Sequence, residues 1–378
     1  MTALGPGSTI GIVGGGQLGR MLTQSARQHG YGVAVLTGGA AATPAGVLAD
    51  VEVCGAFDDP DALRTFVDAV DVVTWEFESV DLMVADIARA AEVPVRPSAA
   101  IVGIAQDRSK EKSALEAAGV TVAAWRDATT LDELRTAAES LGLPVIAKTA
   151  RFGYDGKGQV RLDSIDQVDA AWRTLGEQRL VVEQVVSFTG ELSVVVARGL
   201  DGTVVDHGVM HNAHVNHILD TTVVPAVIEA EKAAAARQIA HQIAQSLDLV
   251  GVLCVELFDT EAGLVVNEIA PRPHNSGHCT IEAAPSSQFE QQLRAITGQP
   301  LGDGACQPAA MVQLLGDLWA DGEPNWSAVL TRRDVHLHLY GKTEPRPGRK
   351  MGHLTCVTDS VDEARQQALD ARAALVER

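Results

Sequence analysis

Aromatic side chains make up only 4% of this 378-residue chain, and cysteine is limited to Cys54, Cys254, Cys279, Cys306 and Cys356. These cysteines are odd in number, far apart and without a CxxC pair, which argues against a disulfide framework or a thiolate zinc site. They read as reduced thiols. Apolar runs are short: none approaches the roughly 20 residues of a membrane-spanning helix. Met1 to Ser8 has no basic stretch ahead of an apolar one, so neither an anchor nor a secretory leader is expected and the chain is placed in the cytoplasm. Positive charge is also in deficit, 30 Lys and Arg against 49 Asp and Glu, for a formal net charge of −19. That field repels phosphate backbones and anionic bilayers, so neither nucleic acid nor membrane is expected as a general partner. What is present is a 46% hydrophobic content over a length that suits about two or three domains with cores of their own, which excludes a disordered chain.

The first hundred residues alternate strand-like runs (TIGIVGGG, YGVAVLT, VDVVTWEFE) with helical patterns, the rhythm of parallel strands joined by right-handed crossovers. Pro94 and Pro97 break the pattern near residue 100. The spacing then predicts helices over Ser109 to Ala118 and Leu131 to Leu141, a strand LPVIAKTA, and a glycine-rich loop. From Leu180 onward long β-branched runs take over, with a helix over Glu229 to Leu247 and a closing one over Val361 to Val376. The expected class is therefore α/β and α+β. A doubly wound parallel-sheet domain (1–100) precedes a middle region (101–300), itself divided into a smaller unit (101–185) and a larger one (186–300). A small α+β domain (301–378) follows.

Gly14, Gly16 and Gly19 form a GxGxxG pattern between a strand and a helix, a setting for a phosphate at a helix amino terminus. A dinucleotide site would place an acid at the end of the second strand, where this chain has Thr37, Gly38 and Gly39. NAD is therefore disfavoured, leaving another phosphate-bearing ligand or a tight turn. Glu76 and Glu78 in WEFES either read ligand hydroxyls or are solvated strand-end acids. Downstream, Lys148 ends an apolar strand before a loop with Gly153, Gly156, Lys157 and Gly158, whose backbone can close over a polyphosphate or form a plain surface hairpin. The runs GVLCVELFD and GLVVNEIA flank a turn at Asp259 to Gly263. A turn centred near Ala262 sets Glu256 opposite Glu268, an arrangement that is unfavourable unless a cation sits between them; magnesium suits two carboxylates plus substrate phosphates. Arg272, His274 and Asn275 follow in a polar loop with donors for an anionic intermediate. Lys342, Arg346, Arg349 and Lys350 then form a basic island fit for a phosphate monoester.

Taken in order, IGIVGGGQLGRM, WEFE, QDR, GYDGKGQ, NEIAPRPHNSGH and PGRKMGH resemble the ATP-grasp superfamily, most closely its purine-biosynthetic branch, the 5-(carboxyamino)imidazole ribonucleotide synthases. The resemblance spans nearly the whole chain. It implies an ATP-grasp fold for the middle region and a carbon–nitrogen ligase with ATP and magnesium as cofactors. Such an enzyme forms carboxyphosphate from bicarbonate and carboxylates the exocyclic amine of 5-aminoimidazole ribonucleotide, acting as a homodimer. The nearest rival readings are a formate-dependent glycinamide ribonucleotide transformylase and a biotin carboxylase.

By the same resemblance Arg108, Lys148 and the loop Gly153, Tyr154, Asp155, Gly156, Lys157, Gly158 and Gln159 contact the ATP phosphates. Glu183, Gln184, Val185 and Val186 line the adenine, with Glu191 on the ribose, His214 nearby and Asn267 beside the metal ligands Glu256 and Glu268. Gln17, Leu18, Glu76, Arg272, His274, Asn275, Lys342, Arg349 and Lys350 receive the ribonucleotide and carboxyphosphate. Lys148, Tyr154, Lys157, Arg272, His274 and Lys350 are the expected catalytic groups. The chain departs from its relatives at Lys157, where Arg is frequent, and at His211 and His217, where Glu and Gly are frequent.

Overall fold

The computed structural model describes residues 3–151, 153 and 156–377. Strands β1 (Thr9–Val13), β2 (Gly32–Leu36), β3 (Val51–Val53) and β4 (Val72–Trp75) form a parallel sheet in the order β3-β2-β1-β4. Both faces of this sheet are apolar because both are covered. Ile10, Ile12 and Val33 pack on the helix Gln17–Gln28, whereas Ala34, Leu36 and Trp75 pack on Leu63 and Phe66 of the helix Pro60–Val67. That is the doubly wound arrangement the alternation predicts.

A second sheet contains β5 (Trp125–Ala128), β6 (Val145–Thr149), β7 (Gln159–Leu162) and β8 (Leu180–Gln184) in the order β5-β8-β6-β7, all antiparallel. The helix Leu131–Leu141, bounded as the sequence predicts, buries Leu134, Ala137 and Ala138 against it. The run LVVEQ belongs to this small sheet, not to the strand-rich body that follows.

The third sheet is built from β9 (Gly190–Arg198), β10 (Val204–Val215), β11 (Ile218–Val224), β12 (Gly251–Thr260), β13 (Gly263–Ala270), β14 (Ala309–Leu315), β15 (Val335–Leu339) and β16 (Lys350–Val357). Its order is β13-β12-β9-β10-β11-β14-β16-β15, antiparallel throughout. The three C-terminal strands therefore continue the sheet of the larger middle unit. Their apolar side chains Val312 and Leu354 pack on Ala364, Ala368 and Ala371 of the helix Val361–Ala374.

Strand alternation sorts the two faces of this sheet. Val194, Val196, Leu253 and Val255 point to the alanine-rich helix Ala230–Ser246, whose small side chains allow close approach. Their neighbours Glu191, Ser193, Cys254 and Glu256 point the other way, toward the loop that begins at Arg272. The helix Gln288–Thr297 ties this body to the first sheet, burying Phe289, Leu293 and Ile296 there while Gln292 Nε2 donates to Thr74 Oγ1 at 2.7 Å.

Candidate active site

The hairpin β12–β13 turns at Glu261 and Ala262, one half-step earlier than a turn centred on Ala262. From Thr260↔Gly263 back to Leu257↔Val266 the ladder is regular, and a regular continuation would set Glu256 against Asn267. A β-bulge between Glu256 and Leu257 adds one residue on the β13 side, so Glu256 pairs with Glu268 instead. The expected juxtaposition is present, and a bulge produces it.

Each acid already faces a cation. Glu256 Oε1 lies 2.9 Å from His274 Nε2, and Glu268 Oε2 lies 3.4 Å from Arg108 Nη1. Burial drives the Glu256 carboxyl up, but the His274 imidazole outweighs it and holds that carboxyl below the usual range. Burial opposes a charge on His274 in turn, yet the Cys254 sulfur and the Glu256 carboxylate push its pKa up to about 10. His274 Nδ1 meets Ser276 Oγ at 2.9 Å, and Ser276 Oγ meets Ser193 Oγ at the same distance. Asn212 Nδ2 also donates to Ser193 Oγ at 2.9 Å, so His274 stands at the end of a buried polar chain reaching β10.

Arg108 is placed by a capped helix start: the Asp107 side chain accepts the Ser109 N–H at 3.1 Å and the Lys110 N–H at 3.4 Å, opening the helix Arg108–Ala117. Its guanidinium also donates to the Gly153 carbonyl at 3.4 Å, joining the second glycine loop to Glu268. Lys148, at the end of β6, is buried and lies 3.0 Å from Glu183 Oε2. Burial pulls the Lys148 ammonium down, against the opposing pull of Glu183. The same Glu183 oxygen lies 3.3 Å from Lys112 Nζ. Gln184, Val185 and Val186 do line a cleft of about 630 Å³, together with Phe188 and Ala262. Glu191 Oε1 and His214 Nδ1 are 3.2 Å apart; burial opposes a charge on His214, but Glu191 raises it.

The Glu76 carboxylate lies in the first glycine loop. Gly14 has φ +117°, and a Cβ added there would come 2.6 Å from Glu76 Oε2; one on Gly16 would come 2.4 Å from Glu76 Oε1. Burial raises the Glu76 carboxyl above the usual range, while Arg272 and the N–H groups of Gly16, Gly19 and Leu18 pull against that shift. The slot that a dinucleotide pyrophosphate would need is thereby filled. Leu18 contributes only its backbone, because its side chain is buried with Ile10 and Ile12. Arg272 forms a forked pair with Glu78, 2.5 and 3.1 Å, and Gln17 Nε2 donates to Asn275 Oδ1 at 3.4 Å, so the two sheets meet at these residues. Lys342 Nζ donates to the Lys350 carbonyl at 2.8 Å; burial and the charges of Arg349 and Lys350 lower its pKa to about 8 against the pull of Glu76. Arg349 donates to the Glu344 carbonyl at 2.7 Å. Arg346 is turned to Glu344 Oε2 at 3.9 Å with its side chain 69% exposed, outside the inward-facing group.

Tyr154 and Asp155 lie outside the described residues. Gly156 sits against the His217 ring, Gly158 O accepts the Thr149 N–H at 2.8 Å, and Gln159 pairs with Lys148 across β6 and β7. Two buried residues at the site were absent from the sequence expectations, Glu111 and Lys112. Their signal was available: Arg108, Glu111, Lys112 and Leu115 share one helix face, and Leu115 is core.

Among the described residues no group of three or more His, Cys, Asp or Glu is arranged to hold a metal. Two facing carboxylates with no further protein ligand are nevertheless the donor set magnesium uses when phosphates complete its shell, so Glu256 and Glu268 fit that ion.

Three family matches cover the chain: a ribonucleotide synthetase preATP-grasp domain over residues 7–106, an ATP-grasp domain over 113–289 and a phosphoribosylaminoimidazole carboxylase C-terminal domain over 309–367. The N5-carboxyaminoimidazole ribonucleotide synthase of Brucella melitensis is 44% identical over 359 residues, spanning 94% of this chain and 97% of its own length. An N5-carboxyaminoimidazole ribonucleotide synthetase crystallised as its ADP complex superposes with a TM-score of 0.91 at 38% identity, covering 98% of each chain. The Aspergillus clavatus N5-carboxyaminoimidazole synthase, in complex with ADP and 5-aminoimidazole ribonucleotide, does so with 0.88 at 31% identity, covering 97% of this chain and 99% of that one. On these matches, which run over nearly its whole length, the chain belongs to the N5-carboxyaminoimidazole ribonucleotide synthases of the ATP-grasp superfamily.

Proposed function

We propose that this protein carboxylates the exocyclic amine of 5-aminoimidazole ribonucleotide at the expense of ATP and bicarbonate, in purine biosynthesis. The observation that carries the reading is the junction at Arg272 to Asn275: His274 reaches Glu256, while Arg272 and Asn275 reach Glu78 and Gln17 of the first domain. One loop therefore links the acid pair proposed to hold the metal with the first-domain residues proposed to receive the ribonucleotide.

Bicarbonate is a poor electrophile with no good leaving group, so it is activated first. A bicarbonate oxygen attacks the γ-phosphorus, the bond to the β-phosphate oxygen breaks, and ADP leaves with the electron pair. The amine nitrogen then attacks the carbonyl carbon of carboxyphosphate; the carbon–oxygen bond to phosphate breaks, inorganic phosphate departs and the nitrogen loses a proton. The chain's part is positioning and charge compensation. Lys148 and Arg108 face the phosphates, and the loop from Gly153 to Gln159 keeps water from carboxyphosphate. Arg272 and His274 offer donors to its anionic oxygens, and Lys342, Arg349 and Lys350 hold the ribonucleotide phosphate. Magnesium, held by Glu256 and Glu268, would neutralise phosphate charge. No helix among the described residues is long and apolar enough to cross a membrane; the working state proposed is a cytoplasmic homodimer.

ADP formation tests the reaction. It should require aminoimidazole ribonucleotide and bicarbonate together. Stimulation by formate with glycinamide ribonucleotide, or by free biotin, would instead assign the chain to a different ligase.

A further inference from the structure

β13 is an edge strand of the large sheet: its Val266 N–H is taken by the Thr121 carbonyl at 2.8 Å, but next to Glu268 no strand among the described residues pairs with its outer edge. Two consecutive side chains of the helix Arg108–Ala117 take that place. Glu111 Oε1 accepts the Ile269 N–H at 2.7 Å, and Lys112 Nζ donates to the Asn267 carbonyl at 2.9 Å. Both flanks of Glu268 are thereby tied, one of them at the extra residue of the bulge that turns Glu268 toward Glu256. The same ammonium lies 3.3 Å from Glu183 Oε2, the oxygen that also receives Lys148 at 3.0 Å. Lys112 is 1% exposed and Glu183 4%. A buried ammonium is costly to place unless its donors are used, and an apolar side chain of equal length would fill the same volume. Here the donors go to β13, which carries Glu268, and to the Glu183 carboxylate of β8, which in turn holds Lys148 of β6.

We infer that Lys112 is a positioning residue that fixes the bulge beneath Glu268 and, through Glu183, the orientation of Lys148, so that both groups are presented together to a metal-bound adenine nucleotide. The inference rests on the ATP reading of the cleft and not on the identity of the carboxylated amine. Lys112 touches neither substrate nor reacting atoms, so its effect should fall on the magnesium dependence of nucleotide binding and on kcat, leaving the ribonucleotide pocket alone.

The test is titration calorimetry of ADP with and without magnesium on the full chain, wild type against Lys112→Met, together with steady-state rates. The magnesium-dependent gain in ADP affinity should fall about 10-fold or more, and the magnesium concentration for half-maximal rate should rise several-fold, with the KM for aminoimidazole ribonucleotide within about 2-fold. A role confined to packing would lower the melting temperature and leave the magnesium dependence in place; an unchanged magnesium gain in Lys112→Met overturns the inference. Should that variant not fold, Lys112→Gln, which keeps a donor for Asn267 and loses the ion pair with Glu183, carries the same measurement, and an undiminished gain there overturns it equally. Wild-type ADP binding that ignores magnesium would overturn it as well. Absence of ribonucleotide-stimulated ADP release in the wild type removes the proposed reaction but leaves the ADP titrations to decide the role of Lys112.

Discussion

Glu256 and Glu268 face each other across β12 and β13 because a single bulge intervenes; in a regular ladder Glu256 would face Asn267. Two carboxylates set opposite one another repel, and each is met by a basic partner, His274 at 2.9 Å and Arg108 at 3.4 Å. The acid pair is thus charge-compensated within the protein itself.

Replacing Glu268 by Gln keeps the shape and removes one of the two charges that would hold the metal. ADP release with both substrates present should drop on the order of 100-fold or more, the usual scale for losing a metal ligand or a key electrostatic group. Near-normal turnover in saturating magnesium would refute the metal-ligand assignment.

The basic island gives a complementary expectation. Lys342 stands close enough to Arg349 and Lys350 to feel both charges, and if this island holds the ribonucleotide phosphate, Lys350→Ala should weaken ribonucleotide use while ATP binding stays intact. Loss of one charge-assisted hydrogen bond, about 1.5–3 kcal/mol, corresponds to a roughly 10- to 150-fold rise in the KM for the ribonucleotide. An equal rise in the KM for ATP would place Lys350 elsewhere in the mechanism.

Much of this arrangement is legible in the chain. The helix Leu131–Leu141 has the boundaries its periodicity predicts, and the parallel sheet of the first domain follows from alternating apolar runs covered on both faces. The acid pair is legible as two glutamates flanking a turn, but the bulge that aligns them leaves no composition signature. The occupant of the first glycine loop is not legible either. GxGxxG specifies an open helix amino terminus, and only the fold brings Glu76, some sixty residues away, into it. Lys112 shares a helix face with the core residue Leu115, which is legible, but its partners are not: only the fold sets its ammonium against the Asn267 carbonyl of β13 and the Glu183 carboxylate.

Gly16 tests the loop directly. A methyl group there would stand 2.4 Å from Glu76 Oε1, closer than any tolerated contact, so Gly16→Ala must displace the Glu76 carboxylate from the helix terminus. The expected outcome is loss of ribonucleotide-stimulated ADP release with magnesium-dependent ADP binding retained, because Glu256, Glu268 and Lys148 lie on other elements. If both losses occurred together, the first domain would have a wider role than holding the ribonucleotide.

Glu111 supplies a pH signature. Its carboxyl is buried, and desolvation, reinforced by the Glu268 charge, raises its pKa from 4.5 to about 8 against the pull of Lys112. The folded state therefore binds this proton more tightly than the unfolded chain does, so the associated stability is complete below the unfolded value and declines as pH rises toward the folded one. Melting temperature of the ligand-free protein should accordingly fall between about pH 4.5 and pH 8. Glu111→Gln keeps an acceptor for the Ile269 N–H, cannot ionise, and should flatten that decline. Differential scanning calorimetry of the two proteins across this range measures the difference; parallel curves would mean that Glu111 titrates at an ordinary carboxylate value, and the helix Arg108–Ala117 would then hold β13 by an ionised clamp on both sides of Glu268.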